Sequence, residues 1–381
     1  MTSLSKKVAL GMSGGVDSSL SAYLLKEAGY EVTGVYLECW RAPGCRTEED
    51  RKDALAVALE LNIPFQVLDF KDAYKNRVVE YFFDEYQAGR TPNPDVMCNK
   101  EIKFGLFYGW AMAHGFEYVA TGHYAQVLPI GEAGKLALSC SVDAHKDQTY
   151  FLYRMRTEQL AHILFPVGHL TKPEVRAAAT QRHIAVASKK DSVGICFIGD
   201  INVHEFLRER LGENPGPVVD TQGNVIGEHE GLWFYTVGQR HGFTIFPKTV
   251  QRLATGEEID KHNVPPFYVI AKRAKTNELM VGFGAQTYTQ DFTVVDLHWI
   301  DKLTAAHTAT ELLVRIRHTG ELLPATLIPG KDSKPATVHL HQAVQGVAEG
   351  QSAVFYQGHA DQTICLGGGV ISMAEAEATG K

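Results

Sequence analysis

Val8-Ala9-Leu10-Gly11-Met12-Ser13-Gly14-Gly15-Val16-Asp17-Ser18-Ser19 sets a glycine–serine loop between an apolar run, Val8 to Met12, and a stretch with apolar residues at helical spacing, Leu20, Leu24 and Leu25. Strand, loop, helix in that order reads as a phosphate-binding loop. The glycines allow positive φ and close backbone approach, and the helix behind them turns its positive end toward the same point. Serine hydroxyls add donors. The loop lacks the lysine that closes a Walker A motif, so it offers neutral donors and one carboxylate, Asp17, able to hold Mg2+.

Outward from the loop, residues 6 to about 121 alternate strand-like and helix-like segments: Val32–Leu37, a helix near Glu48–Leu61, Phe65–Asp69, helices from Ala73 to Gln87 and from Lys100 to His114, and Tyr118–Thr121. Such alternation predicts an α/β domain with a parallel sheet, whose ligands bind beyond the carboxyl ends of the strands. Thr121-Gly122-His123-Tyr124 follows a later strand and would reach that edge. Further helix is expected around Gln148–Arg156 and from Thr171-Lys172-Pro173, where threonine can cap and proline falls in the first turn.

From about residue 201 turn chemistry and short β-type runs such as Leu232–Val237 and Pro266–Ala271 predict a small β-rich middle domain over 201–275. Phe246 to Val264 is polar and aperiodic and reads as a long loop. From about 276 to 381 short strands without helices, Leu279–Phe283 the first of them, predict a β-barrel. Gly367-Gly368-Gly369 has no helix behind it and reads as a bulge or barrel corner. The tail from Met373 to Lys381 is expected to fray.

A chain of 381 residues is long enough for two or three domains, and 45% apolar with 21% charged residues is ordinary globular composition. No apolar run reaches the length of a membrane span, and Met1 to Lys7 is too short and polar for a signal segment. A cytoplasmic location without a membrane partner is expected. Neither half of the chain is basic and the net charge is −7, so binding of a polyanion would rest on local patches and Mg2+. The six cysteines include no C-x-x-C pair, so neither zinc nor an iron–sulfur cluster is expected.

Two cysteines stand out by setting. Arg90-Thr91-Pro92-Asn93-Pro94-Asp95-Val96-Met97-Cys98-Asn99-Lys100 puts a carboxylate three residues before a thiol in a loop stiffened by prolines. A helix beginning near Asn99, with Lys100 beside it, would stabilise a thiolate at Cys98. Cys196, in Gly194-Ile195-Cys196-Phe197-Ile198-Gly199, is bracketed by glycines that let a thiol stand clear. Cys140 and Cys365 lie in strand-like runs and read as packing, and Cys39 and Cys45 flank a loop without an evident base or metal partner.

The glycine–serine loop resembles the PP-loop of the ATP pyrophosphatases, which split ATP between its α and β phosphates and transfer AMP to an oxygen of a second substrate. The wider match is to the bacterial tRNA-specific 2-thiouridylases. It is carried by Gly11-Met12-Ser13-Gly14-Gly15-Val16-Asp17-Ser18, Thr91-Pro92-Asn93-Pro94-Asp95 with Cys98, Ala120-Thr121-Gly122-His123-Tyr124, Lys146-Asp147-Gln148, the Cys196 segment, and Gly350-Gln351-Ser352-Ala353-Val354-Phe355-Tyr356 followed by Cys365-Leu366-Gly367-Gly368-Gly369. This resemblance implies ATP-dependent thiolation of the wobble uridine of tRNAs for Lys, Glu and Gln. It further implies a persulfide on Cys196 delivered by a cysteine desulfurase or sulfur relay protein, Cys98 as its nucleophilic partner in a transient disulfide, and Asp95 as general acid/base. ATP would contact Gly11, Met12, Ser13, Gly14, Gly15, Val16, Asp17, Ser18, Leu37 and Gly122. The tRNA would contact Asn93, Pro94, Asp95, His123, Lys146, Asp147, Gln148, Arg315, Ile316 and Gln351. Ile316 stands where the family has an aromatic residue.

Two other functions stay open on the residues alone. A PP-loop synthetase acting on a small molecule would have no need of paired cysteines. A nucleotide-sensing or tRNA-binding module would leave Asp95, Cys98 and Cys196 without a task.

Overall fold

The computed structural model describes residues 6–41, 46–131, 134–191, 202–246, 266–302, 307–330 and 334–373. Cys45, Cys196 and all of the expected 246–264 loop except Phe246 lie outside the described residues.

The first domain is a parallel sheet. Strands β1 (Lys7–Gly11), β2 (Glu31–Glu38) and β3 (Phe65–Asp69) alternate with helices α1 (Val16–Glu27) and α2 (Thr47–Glu60). A helical stretch of α3 (Lys71–Tyr74), a π-helix (Lys75–Val79) and α4 (Glu80–Gln87) follows. A second runs through α5 (Pro94–Met97), a ten-residue π-helix (Cys98–Phe107) and α6 (Tyr108–Ala113), and leads into β4 (Tyr118–Thr121). With β7 (Ile163–Leu164) the order is β3-β2-β1-β4-β7, and every pairing is parallel. Val8, Ala9 and Leu10 are fully buried, as an apolar central strand covered on both faces must be. Because the helical stretch before β4 returns to the start of that strand, residues 93–98 at its beginning lie toward the carboxyl edge of the sheet, as does the loop after β1.

Between β4 and β7 lie a hairpin, β5 (Ala125–Ile130) with β6 (Lys135–Cys140), and the short helices α7 (Thr149–Leu152) and α8 (Thr157–Leu160). The helix expected around Gln148–Arg156 thus ends after one turn. Helix α9 (Lys172–Gln181) starts where Thr171 and Pro173 predict, with Glu174 Oε2 accepting from both Thr171 N and Oγ1 (2.7 and 2.8 Å).

The middle region begins with a helix that the sequence reading missed, α10 (Val203–Leu211). Its sheet orders β10 (Thr244–Ile245), β9 (Val225–His229), β8 (Gly216–Val219), β12 (Glu278–Gly282) and β11 (Tyr268–Arg273). Two expectations are corrected here. Leu232–Phe234 forms a 3-10 turn rather than a strand, and β12 pairs with β8 and β11, which assigns Leu279 to the middle sheet instead of the barrel.

The C-terminal barrel is closed: β13 (Tyr288–Trp299), β16 (Ala336–Gln345), β15 (Leu323–Ile328), β14 (Thr310–Arg315), β17 (Ser352–His359) and β18 (Gln362–Ser372), with β18 returning to β13. The glycine run is the corner. Register slips so that Tyr356 opposes Cys365 and Phe355 opposes Gly367, and from Gly367 onward β18 pairs with β13 as well as with β17, while Ile364 pairs back to Ser139 of β6. The barrel is therefore hydrogen-bonded to the first domain through the β5–β6 hairpin. Among the described residues no helix is long and apolar enough to cross a membrane.

Candidate functional site

The glycine–serine loop is already shaped without a ligand. Ser18 Oγ lies 3.2 Å from both Ser13 N and Ser13 Oγ, and Ser19 Oγ donates to Gly15 O at 2.9 Å. Gly14 has φ +73, and a Cβ there would fall 2.2 Å from the Asp50 carbonyl oxygen. Gly122, at the end of β4, lies so close to the start of α1 that a Cβ would sit 2.7 Å from Ser18 N. Both glycines, and half-buried Leu37 near the end of β2, occupy the sheet edge where the sequence reading puts ATP.

The cations of this cleft come from far along the chain. Lys172 Nζ donates to both oxygens of Asp17 (2.7 and 2.9 Å) and pairs with Asp191 at 2.9 Å, while Tyr124 Oη donates to Asp17 Oδ1 at 2.8 Å. Lys189 bridges Gly14 O, Asp50 and Asp53. Lys146 and Arg176 hold Asp191 at 2.7 and 2.6 Å. Burial would raise Asp191, but hydrogen bonds from Lys146 and Lys172 hold it down at about 2. Lys172 and Lys189 thus bring positive charge to the loop from far along the chain, which sequence spacing could not reveal.

The thiol side is built differently. Asn93 caps α5 through Oδ1 to Val96 N (3.3 Å), and Pro94 occupies the first helical turn. The helix starts here, so Cys98 lies one turn inside it rather than at its N-terminus. Cys98 is 4% exposed, and burial pushes its thiol up to about 12. The expected stabilised thiolate beside Lys100 is therefore corrected: Lys100 is exposed and pairs with Glu101 at 3.0 Å, whereas Lys103 is the cation that acts on the sulfur. Cys39, from the end of β2, also packs against this cluster. Asp95 Oδ1 and Asn99 Oδ1 are buried acceptors with no hydrogen-bond partner among the described residues.

Other domains clamp this loop. Gln351 Nε2 donates to the Thr91 and Pro92 carbonyls (3.0 and 2.9 Å), Thr91 N donates to Glu349 O (2.8 Å), and Lys272 of β11 reaches Thr91 Oγ1 (3.3 Å) and Tyr235 O (2.9 Å). Behind it Asp147 and Arg315 form a buried ion pair at 2.6 Å, with Asp147 also accepting from Ser141 N and Thr149 Oγ1. Ile316 lies in the barrel core, and His123 is 6% exposed. Gln148 Oε1 accepts from Tyr124 N at 2.9 Å. Of the residues grouped from sequence as tRNA contacts, Asn93, Pro94, Asp95 and Gln351 come together at the thiol loop. Lys146 and Gln148 border the nucleotide cleft, and Asp147, Arg315, Ile316 and His123 are internal. Cys196 lies outside the described residues.

A parallel sheet with a glycine–serine loop at its carboxyl edge, joined to a middle β domain and a closed barrel, defines a PP-loop type nucleotide-binding protein with appended β modules. The family described as tRNA methyl transferase HUP domain matches residues 6–200, the one described as tRNA methyl transferase PRC-barrel domain matches 204–283, and the one described as aminomethyltransferase beta-barrel domain matches 289–371. The chain is 42% identical over 373 residues to the tRNA-specific 2-thiouridylase MnmA of Pseudoalteromonas translucida, covering 96% of this chain and 97% of that one. It is 41% identical over 383 residues to its counterpart from Pediococcus pentosaceus, covering 98% and 97%. The chain belongs to the tRNA-specific 2-thiouridylase family.

Proposed function

We propose that this protein replaces O2 of the tRNA wobble uridine by sulfur, in tRNAs for Lys, Glu and Gln, at the expense of ATP. The observation that carries the reading is a protonated, buried thiol next to two unpartnered buried acceptors, Asp95 Oδ1 and Asn99 Oδ1, at the same sheet edge as a preformed phosphate loop. Buried acceptors without a partner among the described residues call for a donor, and the uracil N3–H is one. Family membership supports tRNA as its source.

In this reading ATP lies along Gly11–Ser18, with Leu37 and Gly122 against the adenosine. Uridine O2 attacks the α-phosphorus, pyrophosphate leaves, and the N3 proton passes to Asp95. Adenylation makes O2 a good leaving group. A persulfide-carrying donor protein loads Cys196 as Cys196–S–SH. The Cys98 thiolate attacks the inner sulfur, forming a Cys98–Cys196 disulfide and releasing HS−. The HS− adds to C2, AMP departs with O2, and N3 regains its proton as 2-thiouridine forms. A dithiol reductant then returns both cysteines to thiols. Mg2+ would arrive on the phosphates. Asp17 fits it only once Lys172 has turned from that carboxylate to the phosphates, because Lys172 now engages both oxygens.

Mass analysis of nucleosides from tRNA incubated with ATP, Mg2+, a persulfide source and the protein tests the reading. Cys98→Ser and Cys196→Ser should each abolish 2-thiouridine, and Cys39→Ser and Cys140→Ser should leave it nearly intact. Equal loss in all four would overturn the assignment.

A further inference from the structure

Cys98 opens a π-helix, and that geometry decides which side chain faces its sulfur. In an α-helix residues five apart point about 140° away from each other, whereas a π turn of about 4.4 residues brings them within about 50°. The wide register thus carries Lys103 round to the side of Cys98. Of the groups facing the sulfur, Lys103 is the strongest influence opposing burial; Tyr74 adds a hydrogen bond, and Cys39 and Asp95 act in the other direction.

Lys103 is also held in place. Its Nζ donates to His123 Nε2 at 3.2 Å, so the ring proton sits on Nδ1, which donates to Thr121 Oγ1 at 2.7 Å. Burial, then the nearby Lys103, holds the His123 imidazolium well below the usual range, so the ring is neutral and acts as an acceptor. Phe104 and Phe165 flank the ring at centroid distances of 5.9 and 6.0 Å. A histidine enclosed in this way does not face a solvent-borne ligand. It fixes an ammonium, and Thr121 at the end of β4 fixes the histidine.

We propose that Lys103 is the cation that stabilises the Cys98 thiolate during sulfur transfer, and that His123 is the positioning residue that aims it. The thiol proton leaves to water as the loop opens to the base, and the ammonium charge offsets the thiolate until it bonds to the sulfur of its partner. This inference rests on the reading of Cys98 as the attacking thiol.

The test is single-turnover thiolation by the full-length protein, preloaded with persulfide, across pH 6.5–9.5, with Cys98 alkylation by iodoacetamide followed by mass spectrometry over the same range. Lys103→Met should slow thiolation at least about tenfold near neutrality and move both pH profiles upward by one unit or more, with much of the rate regained at high pH. That shift corresponds to about 1.4 kcal/mol per unit. Lys103→Arg, which keeps the charge, should retain the wild-type profile. His123→Phe should shift the profiles in the direction of Lys103→Met, and His123→Gln, which keeps an acceptor near the Nε2 position, should restore them. If Lys103→Met does not fold, Lys103→Gln replaces it in the same measurements. Unchanged profiles in the Lys103 variants, or weaker tRNA binding with unchanged profiles, would overturn the inference. Activity in Cys98→Ser would instead overturn the reading beneath it.

Discussion

The nucleotide loop and the thiol loop share one edge of one sheet, yet they are finished to different degrees. Around Ser13–Ser19 the hydroxyls satisfy one another, and Asp17 already carries Lys172 and Tyr124. Around Asp95–Asn99 two buried acceptors lack partners among the described residues, and the neighbouring Cys98 thiol is buried. One half is a closed network of ion pairs and hydroxyl hydrogen bonds, and the other is covered by the middle domain and the barrel. In the proposed reaction that difference lets adenylation be set up before sulfur is exposed, because the clamp keeps water from the thiol.

The largest expected effect lies in the barrel strut behind the thiol loop. Arg315→Ala leaves Asp147 charged, buried and without its ion-pair partner, a change that costs about 3–5 kcal/mol. Chemical denaturation should show that loss, with nucleotide affinity measured below the transition changed little. If Arg315→Ala were instead as stable as the wild type and weakened only tRNA binding, Arg315 would act as a tRNA contact and not as a strut.

The nucleotide side gives the next effect. Lys172→Met should weaken ATP binding about tenfold to a hundredfold while tRNA affinity stays within about threefold, because the ammonium lies 2.7 Å from Asp17 of the nucleotide loop. Asp17→Ala should weaken nucleotide binding as well, and the double variant should lose less than the sum, since each residue acts through the other. Isothermal calorimetry on the three variants decides it, and additive losses would mean that the two residues serve different parts of ATP.

What could be read from sequence divides along the same line. The phosphate loop is local: glycines, serines and the flanking strand and helix lie within one short stretch, so composition and order suffice. Thr171-Lys172-Pro173 announced its helix for the same reason. That the lysine in it would meet Asp17 was not legible, because 155 residues separate them and only the fold closes the distance. Lys103 escaped notice because α-helical spacing sends it away from Cys98, and the π register leaves no sequence pattern. Helix α10 was missed because the turn residues that follow it, Asn214-Pro215-Gly216-Pro217, set the reading, although Asn202 at its cap and Val203, Phe206 and Leu207 at helical spacing were there to be read. The assignment of β12 to the barrel failed because a short strand carries no label for the sheet it will join.

The smallest effect concerns the clamp itself. Burial lowers the Lys272 ammonium to about 7, from an unfolded value near 10.5. Above pH 7 the folded protein has lost this proton and the unfolded chain still holds it, so the unfolded state binds more protons and stability rises with pH. Between pH 7 and 8.5, below the range where buried thiols such as Cys98 begin to count against folding, the melting temperature should climb by about 1–2 °C, the equivalent of roughly 1 kcal/mol in a chain of this length. Lys272→Met should flatten that slope while losing the hydrogen bonds to Thr91 and Tyr235. A slope equal to the wild type in this variant would mean that the ammonium is solvated, and that the middle domain rests against residues 91–92 without gripping them.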